Sequence, residues 1–257
     1  MGNTVSRFIG TLKLERREWQ GFFVLWIGCI VGNLALLPYI INIVIGSTAN
    51  PQAIILSALL NSLIIYPFPI YIGMRLKRKL SLAGLPLIEG IKRVNFPDIL
   101  KWGVLTGIIS WLLIKAGDWG FSFLTPQLLD LATTHPPILM GFLASFYGGI
   151  VEEVTLRFFL MALFLWPLKK YGSVGVWVAI LLAAVVFGIG HLPATVQVLG
   201  LHSMVDLPIL VVSRALILNG IVGVICGWLY WRKGLEYAII SHFTADLGVH
   251  ILSPLLG

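Results

Sequence analysis

The chain has 257 residues and a mass of 28.3 kDa; 58% of the residues are apolar, 11% are charged, and the mean hydropathy is +0.94. So little charge excludes a soluble globule, a disordered chain, a collagen-like fibre and a disulfide-stapled module, and it places the protein in a membrane. The formal charge of +7 comes from 18 Lys and Arg against 11 Asp and Glu, and because the bases fall in patches between apolar runs it marks topology and not a nucleic-acid partner.

From Trp19 to Met74 there is no Asp, Glu, Lys or Arg. A spanning helix needs only about 20 apolar residues, so this stretch holds two. The first run opens near Gly21 without a small-residue cleavage site, which makes it a spanning helix and not a removable signal. Seven spans follow in order, at 21–46, 52–74, 99–117, 137–167, 173–191, 207–231 and 235–256. The fold class is therefore all-α, a polytopic helical bundle of about seven transmembrane helices, within a range of six to eight. Asp118 to Leu131 reads as an interfacial amphipathic stretch, and Leu192 to Asp206 as a loop or a re-entrant piece. Cys29 and Cys226 lie inside apolar runs and behave as small buried hydrophobes.

The bases alternate along the chain. Arg7, Lys13, Arg16 and Arg17 precede the first span, and Arg75, Lys77, Arg78, Lys79, Lys92, Arg93 and Lys101 follow the second. Lys169 and Lys170 occupy the fourth connection, and Arg232 and Lys233 the sixth. The first and fifth connections have none. By the positive-inside rule the N-terminus is cytoplasmic and the C-terminus outside, in a protein integral to the plasma membrane.

A few ionisable groups remain inside the spans: Glu152, Glu153, Arg157, His191, Arg214, His242, Asp246 and His250. A charge at mid-bilayer costs about 2.5–3.5 kcal/mol on insertion scales, so each is a candidate for function. Glu153 and Arg157 are spaced i, i+4 and can form a self-neutralising structural pair, which leaves Glu152 over. A carboxylate crowded by a second one in apolar surroundings is suited to accepting a proton from water. His242 and Asp246 are again i, i+4, either a hydrogen bond stitching helices together or two groups meeting a third. His191 alone at a helix end reads as packing. Arg214 reads as the partner of an acid or a snorkelling side chain, His250 as packing or interfacial, and His135 and His202 as extramembrane. Together, three spans bring two carboxylates, an arginine, a histidine and a His–Asp pair into apolar surroundings, a set able to activate water.

Glu152-Glu153-x-x-x-Arg157, Phe187-x-x-x-His191 and His242-x-x-x-Asp246 resemble, in order and spacing, the three motifs of the CAAX prenyl protease and bacteriocin-processing (CPBP, or Abi) family of intramembrane proteases, to which the type II CAAX endopeptidases belong. The resemblance covers about residues 137–250, dividing the chain into N-terminal membrane helices with a basic loop at 1–135 and a catalytic membrane domain at 136–257. It implies an endopeptidase acting on a peptide or protein at the membrane, a CAAX-type tail or a leader peptide. Glu152 would be the general base, His191 would hold the water, His242 and Asp246 would face the oxyanion, and Glu153 and Arg157 would orient the first motif. Prenyl-protease members carry Asn where this chain has Asp246. An ionised Asp cannot donate to an oxyanion, so Asp246 is protonated, orients His242, or ligates a metal.

That last option makes Glu152, His191, His242 and Asp246 a candidate set for a divalent metal such as zinc, although the glutamate-dependent route needs none and no His-Glu-x-x-His motif is present. Drawn as straight spans, His191 lies nearer the outer end than Glu152 and His242. The non-enzymatic alternatives are an inactive scaffold or immunity protein, and a proton-coupled transporter using Glu152 and Glu153. Transport favours repeated halves with broken helices, and no internal repeat is present.

Overall fold

The computed structural model describes residues 14–45, 50–91, 94–124 and 136–256. Arg7, Lys13, Lys92, Arg93, His135, the turn at 46–49 and the 125–131 part of the amphipathic stretch lie outside the described residues. Every regular element within them is helical.

Helix α1, Arg16–Tyr39, opens on a capping box in which Glu15 and Glu18 satisfy each other's backbone, and it continues through the π-helical turn Ile40–Ile45. Pro51 starts α2, Pro51–Leu60, behind the cap from Asn50 to the Gln52 N–H. A π turn, Asn61–Ile65, joins it to α3, Pro67–Leu80. Helix α4, Phe96–Ser122, is capped by Asn95. Next come α5, Ile138–Phe146, the π-helical stretches Tyr147–Glu152 and Val154–Met161, and α6, Ala162–Leu168. After the tight turn Lys169–Tyr171, α7 covers Gly172–Gly190 and α8 Leu192–Val198. The chain closes with α9, Ile209–Arg232, then α10, Leu235–Leu247, a π turn at Gly248–Leu252, and α11, Ser253–Leu256.

Six helical runs are long and apolar enough to cross a membrane, and one of them, Ile138–Val198, is 61 residues long. One crossing needs about 20 residues. This run doubles back where Pro167 removes a backbone donor and Gly172 adopts φ +56°, so that α7 packs against α6 and the second π-helical stretch. The six runs thus contain the seven expected passages. Outward side chains such as Ile27, 58% exposed, and Leu181, 52% exposed, are apolar, as the exterior of an integral membrane protein must be.

Two expectations are corrected. Asp118 to Ser122 is not a separate interfacial stretch but the last turn of α4, held to α9 by the ion pair of Asp118 with Arg214 at 2.7 Å. Leu192 to Asp206 is not a loop throughout: it forms α8 and, after residues 199–203, the short turn Met204–Asp206, with Leu192 and Val196 packed against Leu207, Val211 and Ala215. Arg214 is accordingly the partner of an acid.

The basic segments gather at one end. Arg17 donates to the Glu89 carbonyl at 2.7 Å, Arg78 pairs with Glu18 at 2.7 Å and Glu15 at 2.9 Å, and Lys169 donates to the Lys79 carbonyl at 3.1 Å. Lys77 pairs with Glu89. Glu236, at the start of α10, accepts from the N–H of Leu87 at 3.0 Å and of Ile88 at 3.4 Å. The long second connection is therefore laced onto three other basic segments.

Candidate active site

All three motifs meet in the core between α5, α7 and α10. Glu153, Arg157 and His242 are 0%, 1% and 3% exposed. His242 reaches across from α10 to place Nδ1 2.7 Å from Glu153 Oε1, while Arg157 Nη1 lies 3.4 Å from the same oxygen. The carboxylate can only accept, so Nδ1–H donates, and the tautomer of His242 is set by a neighbour on another helix. The expected Glu153–Arg157 pair is thus present, and His242 joins it.

The other face of the imidazole points to the remaining acids. Nε2 of His242 lies 3.6 Å from Glu152 Oε2 and 3.7 Å from Asp246 Oδ1. Glu152 and Asp246 keep side-chain exposures of 20% and 21%. Two consecutive glutamates therefore have different surroundings: Glu153 is sealed between a histidine and an arginine, and Glu152 looks out. Consecutive residues on a helix point roughly 100° apart, which turns the two carboxylates toward different neighbours, and the motif is carried on the π-helical stretches Tyr147–Glu152 and Val154–Met161.

His191 caps the end of α7, where its Nδ1 lies 2.9 Å from the Phe187 carbonyl. A carbonyl also only accepts, so Nδ1–H donates and Nε2 keeps its lone pair. The Phe187 ring touches His191 at 4.8 Å and His242 at 5.4 Å between centroids, and its face carries the Arg157 guanidinium at 4.9 Å. One aromatic ring thus spaces the second motif from the first and third. Phe187, one turn before His191, is the second-motif side chain that reaches His242, while His191 makes its side-chain hydrogen bond within its own helix and not to Glu152.

Sequence reasoning placed Phe187 at the head of the second motif without a role and did not single out Gly148. A Cβ on Gly148 would fall against Asp246 Oδ2 and 3.3 Å from His242 Nε2. Gly148→Ala is expected to displace the Asp246 carboxylate and destabilise the chain by about 1–3 kcal/mol, the usual cost of overpacking, read as a lower melting temperature in detergent; an unchanged melting temperature would contradict this packing. Cys226 was likewise read as a plain hydrophobe, yet its sulfur stands within 4.8 Å of donor atoms of Glu153 and His242.

The zinc set can be tested on these distances. Two donors of one tetrahedral zinc stand about 3.3 Å apart, given bonds of about 2.05 Å. Glu152 and Asp246 lie at 3.6 and 3.7 Å from His242 Nε2, which fits. These contacts pair Glu152 and Asp246 each with His242 but do not close the expected set into one group, and His191 makes its side-chain hydrogen bond within its own helix. Among the described residues the compact group of possible ligands is instead Glu153, Cys226 and His242, but all three are buried and Glu153 Oε1 is engaged with His242, leaving no open position for a reacting water.

Residues 134–248 match a family model described as type II CAAX prenyl endopeptidase Rce1-like. All three motifs fall inside the match. Neither the curated proteins nor the solved structures give a match to the chain.

Proposed function

We propose, from the match of residues 134–248 to the Rce1-like model of type II CAAX prenyl endopeptidases, that the chain is an intramembrane endopeptidase whose attacking water is activated by Glu152. The observation that carries this reading is the divergence of the two adjacent glutamates, one sealed at 0% exposure and the other 20% open beside His242 Nε2.

In this reading Glu152 takes a proton from water, and His191, whose Nε2 keeps a lone pair, accepts the water's second hydrogen bond. The water oxygen attacks the scissile carbonyl. The oxyanion is met by His242, whose Nδ1 is held by Glu153 and whose Nε2 faces Glu152 and Asp246. Asp246 serves as the orienting partner of Nε2, a role that an ionised carboxylate can perform. Glu152 then returns its proton to the leaving amine as the tetrahedral intermediate collapses. Glu153 and Arg157 touch no substrate in this scheme and hold His242 in place.

A divalent metal such as zinc would be held by Glu152, His242 Nε2 and Asp246, where it would supply acidity to a bound water. The Glu152 and His191 route proceeds without it. Chain dialysed against a chelator is therefore expected to retain cleavage and melting temperature; loss of both, restored by stoichiometric zinc, would assign those three residues as ligands instead.

The substrate is a peptide at the membrane, either a C-terminal tail bearing a prenylated cysteine or a leader segment. Following the gathering of basic segments at one end, we place that end and the N-terminus in the cytoplasm and the C-terminus outside the plasma membrane. New peptide termini compared between membranes containing wild-type chain and Glu152→Gln test activity and substrate together. Termini that depend on Glu152 support the proposal, and their sequences sort prenylated tails from leaders. Identical termini would favour a non-enzymatic scaffold.

A further inference from the structure

At the end of the bundle that gathers the basic segments, a cavity of about 280 Å³ lies between the ends of α3, α6 and α9 and the start of α7. Lys79, Ser81, Lys169 and Ser173 line it, beside the buried apolar side chains of Leu165 and Val176, and no motif residue does. Ser81 closes α3 at φ +53°, the left-handed conformation that helix ends commonly give to glycine, and so keeps a hydroxyl where glycine would have none. Lys169 donates to the Lys79 carbonyl at 3.1 Å, which holds its ammonium at the end of α3 with two N–H donors to spare. Other bases at this end have acids: Lys77 meets Glu89, Arg78 meets Glu15 and Glu18, and Lys233 meets Asp98. Among the described residues Lys79 and Lys169 have no carboxylate within ion-pair distance, and neither have Lys170 or Arg232 beside them in sequence or space. Bases left unmatched around one cavity give it a positive potential that attracts an anion from outside the chain.

Depth and size narrow the anion down. Trp166 and Tyr171, next in sequence to cavity residues, are 54% and 55% exposed, and Lys79 Nζ lies 5.6 Å from the centre of the Trp166 ring. Exposed Trp and Tyr mark the level where headgroups meet hydrocarbon. From there the exposed side chains of Val174, Trp177 and Leu181 run along the outward face of α7 as a track for acyl chains. Sites that enclose a whole drug-sized ligand measure about 300–1,000 Å³, so this one takes a headgroup and leaves the tails outside. We propose that the cavity binds the phosphate of an anionic phospholipid, with Lys79 and Lys169 supplying the charge and Ser81 and Ser173 the neutral donors, as basic pockets between membrane helices hold acidic headgroups. Lipid binding here is independent of the Glu152 chemistry.

The test titrates delipidated full-length chain in detergent with short-chain phosphatidylglycerol or phosphatidylcholine, counting bound lipid by native mass spectrometry and following the melting temperature. One phosphatidylglycerol per chain is expected to bind saturably, more tightly than phosphatidylcholine, and to raise the melting temperature. Lys79→Gln and Lys169→Gln are each expected to weaken it about fivefold, the scale of one basic residue at an anionic surface, with lipid-free melting temperatures unchanged because both side chains are exposed. Lys101→Gln is the control: this exposed base near the start of α4, where Asp98 meets Lys233, does not line the cavity and should bind within about twofold of wild type. Equal losses in all three variants would mean diffuse surface attraction and overturn the site. Wild-type binding in both cavity variants, or equal affinity for the two lipids, would overturn it as well. Sodium phosphate at the lipid's own concentration should displace none of it; displacement there would make the ligand a free phosphate and overturn the lipid assignment.

Discussion

Replacing Arg157 with methionine is expected to destabilise the protein by about 3–5 kcal/mol, the cost of leaving one partner of a buried ion pair uncompensated. The guanidinium is 1% exposed and the Glu153 carboxylate opposite it 0%, so solvent screening does not soften the loss. Arg157 Nε, Nη1 and Nη2 have no well-aligned hydrogen-bond partner among the described residues; the side chain works through Coulomb attraction and through the Phe187 face on which it lies. Methionine keeps much of the volume and contact with the ring while removing the charge. The double variant Arg157→Met with Glu153→Gln is expected to recover most of the loss, because a neutral pair replaces a stranded anion. Thermal melting in detergent measures both; a single variant as stable as wild type would show that the pair is not what holds the first motif.

Glu152→Gln is expected to act in the opposite sense, sparing the fold and removing turnover. Its side chain is 20% exposed, and its contact with His242 is long at 3.6 Å, so an isosteric amide costs little stability. As a general base it should account for about 10²- to 10⁴-fold of the rate. Glu153→Gln differs, since it removes the charge from the 2.7 Å contact with His242 and strands Arg157, so melting temperature and activity should fall together. Two neighbours of the same residue type therefore separate catalysis from architecture. Equal stability losses in the two variants would contradict that division.

The spans and motifs were legible in the sequence because the signals are one-dimensional: apolar runs bounded by Lys and Arg, and ionisable residues where the bilayer penalises them. Arg214 was legible as an acid's partner for the same reason, and Asp118 meets it. What could not be read was register. The π-helical stretches around Glu152 alter which residues share a face, and no 3.6-residue pattern announces them. The bond from His242 to Glu153, 89 positions apart, and the wedge of Phe187 between two histidines are products of helix packing. Gly148 looked like any small residue in a membrane helix; only the approach of Asp246 from α10 shows why a side chain there would collide. Within the stretch read as Asp118 to Leu131, Asp118 to Ser122 continue α4, because their aromatic and polar pattern also suits the end of a spanning helix anchored by an ion pair.

The central claim is peptide-bond hydrolysis that depends on Glu152, and its most direct measurement is product release by purified chain in liposomes, wild type beside Glu152→Gln at matched melting temperature. Cleavage of the farnesylated tail or of a leader peptide by the wild type, lost in the variant, is the predicted result. Equal product release from the two chains, or none from the wild type with either peptide, would contradict it.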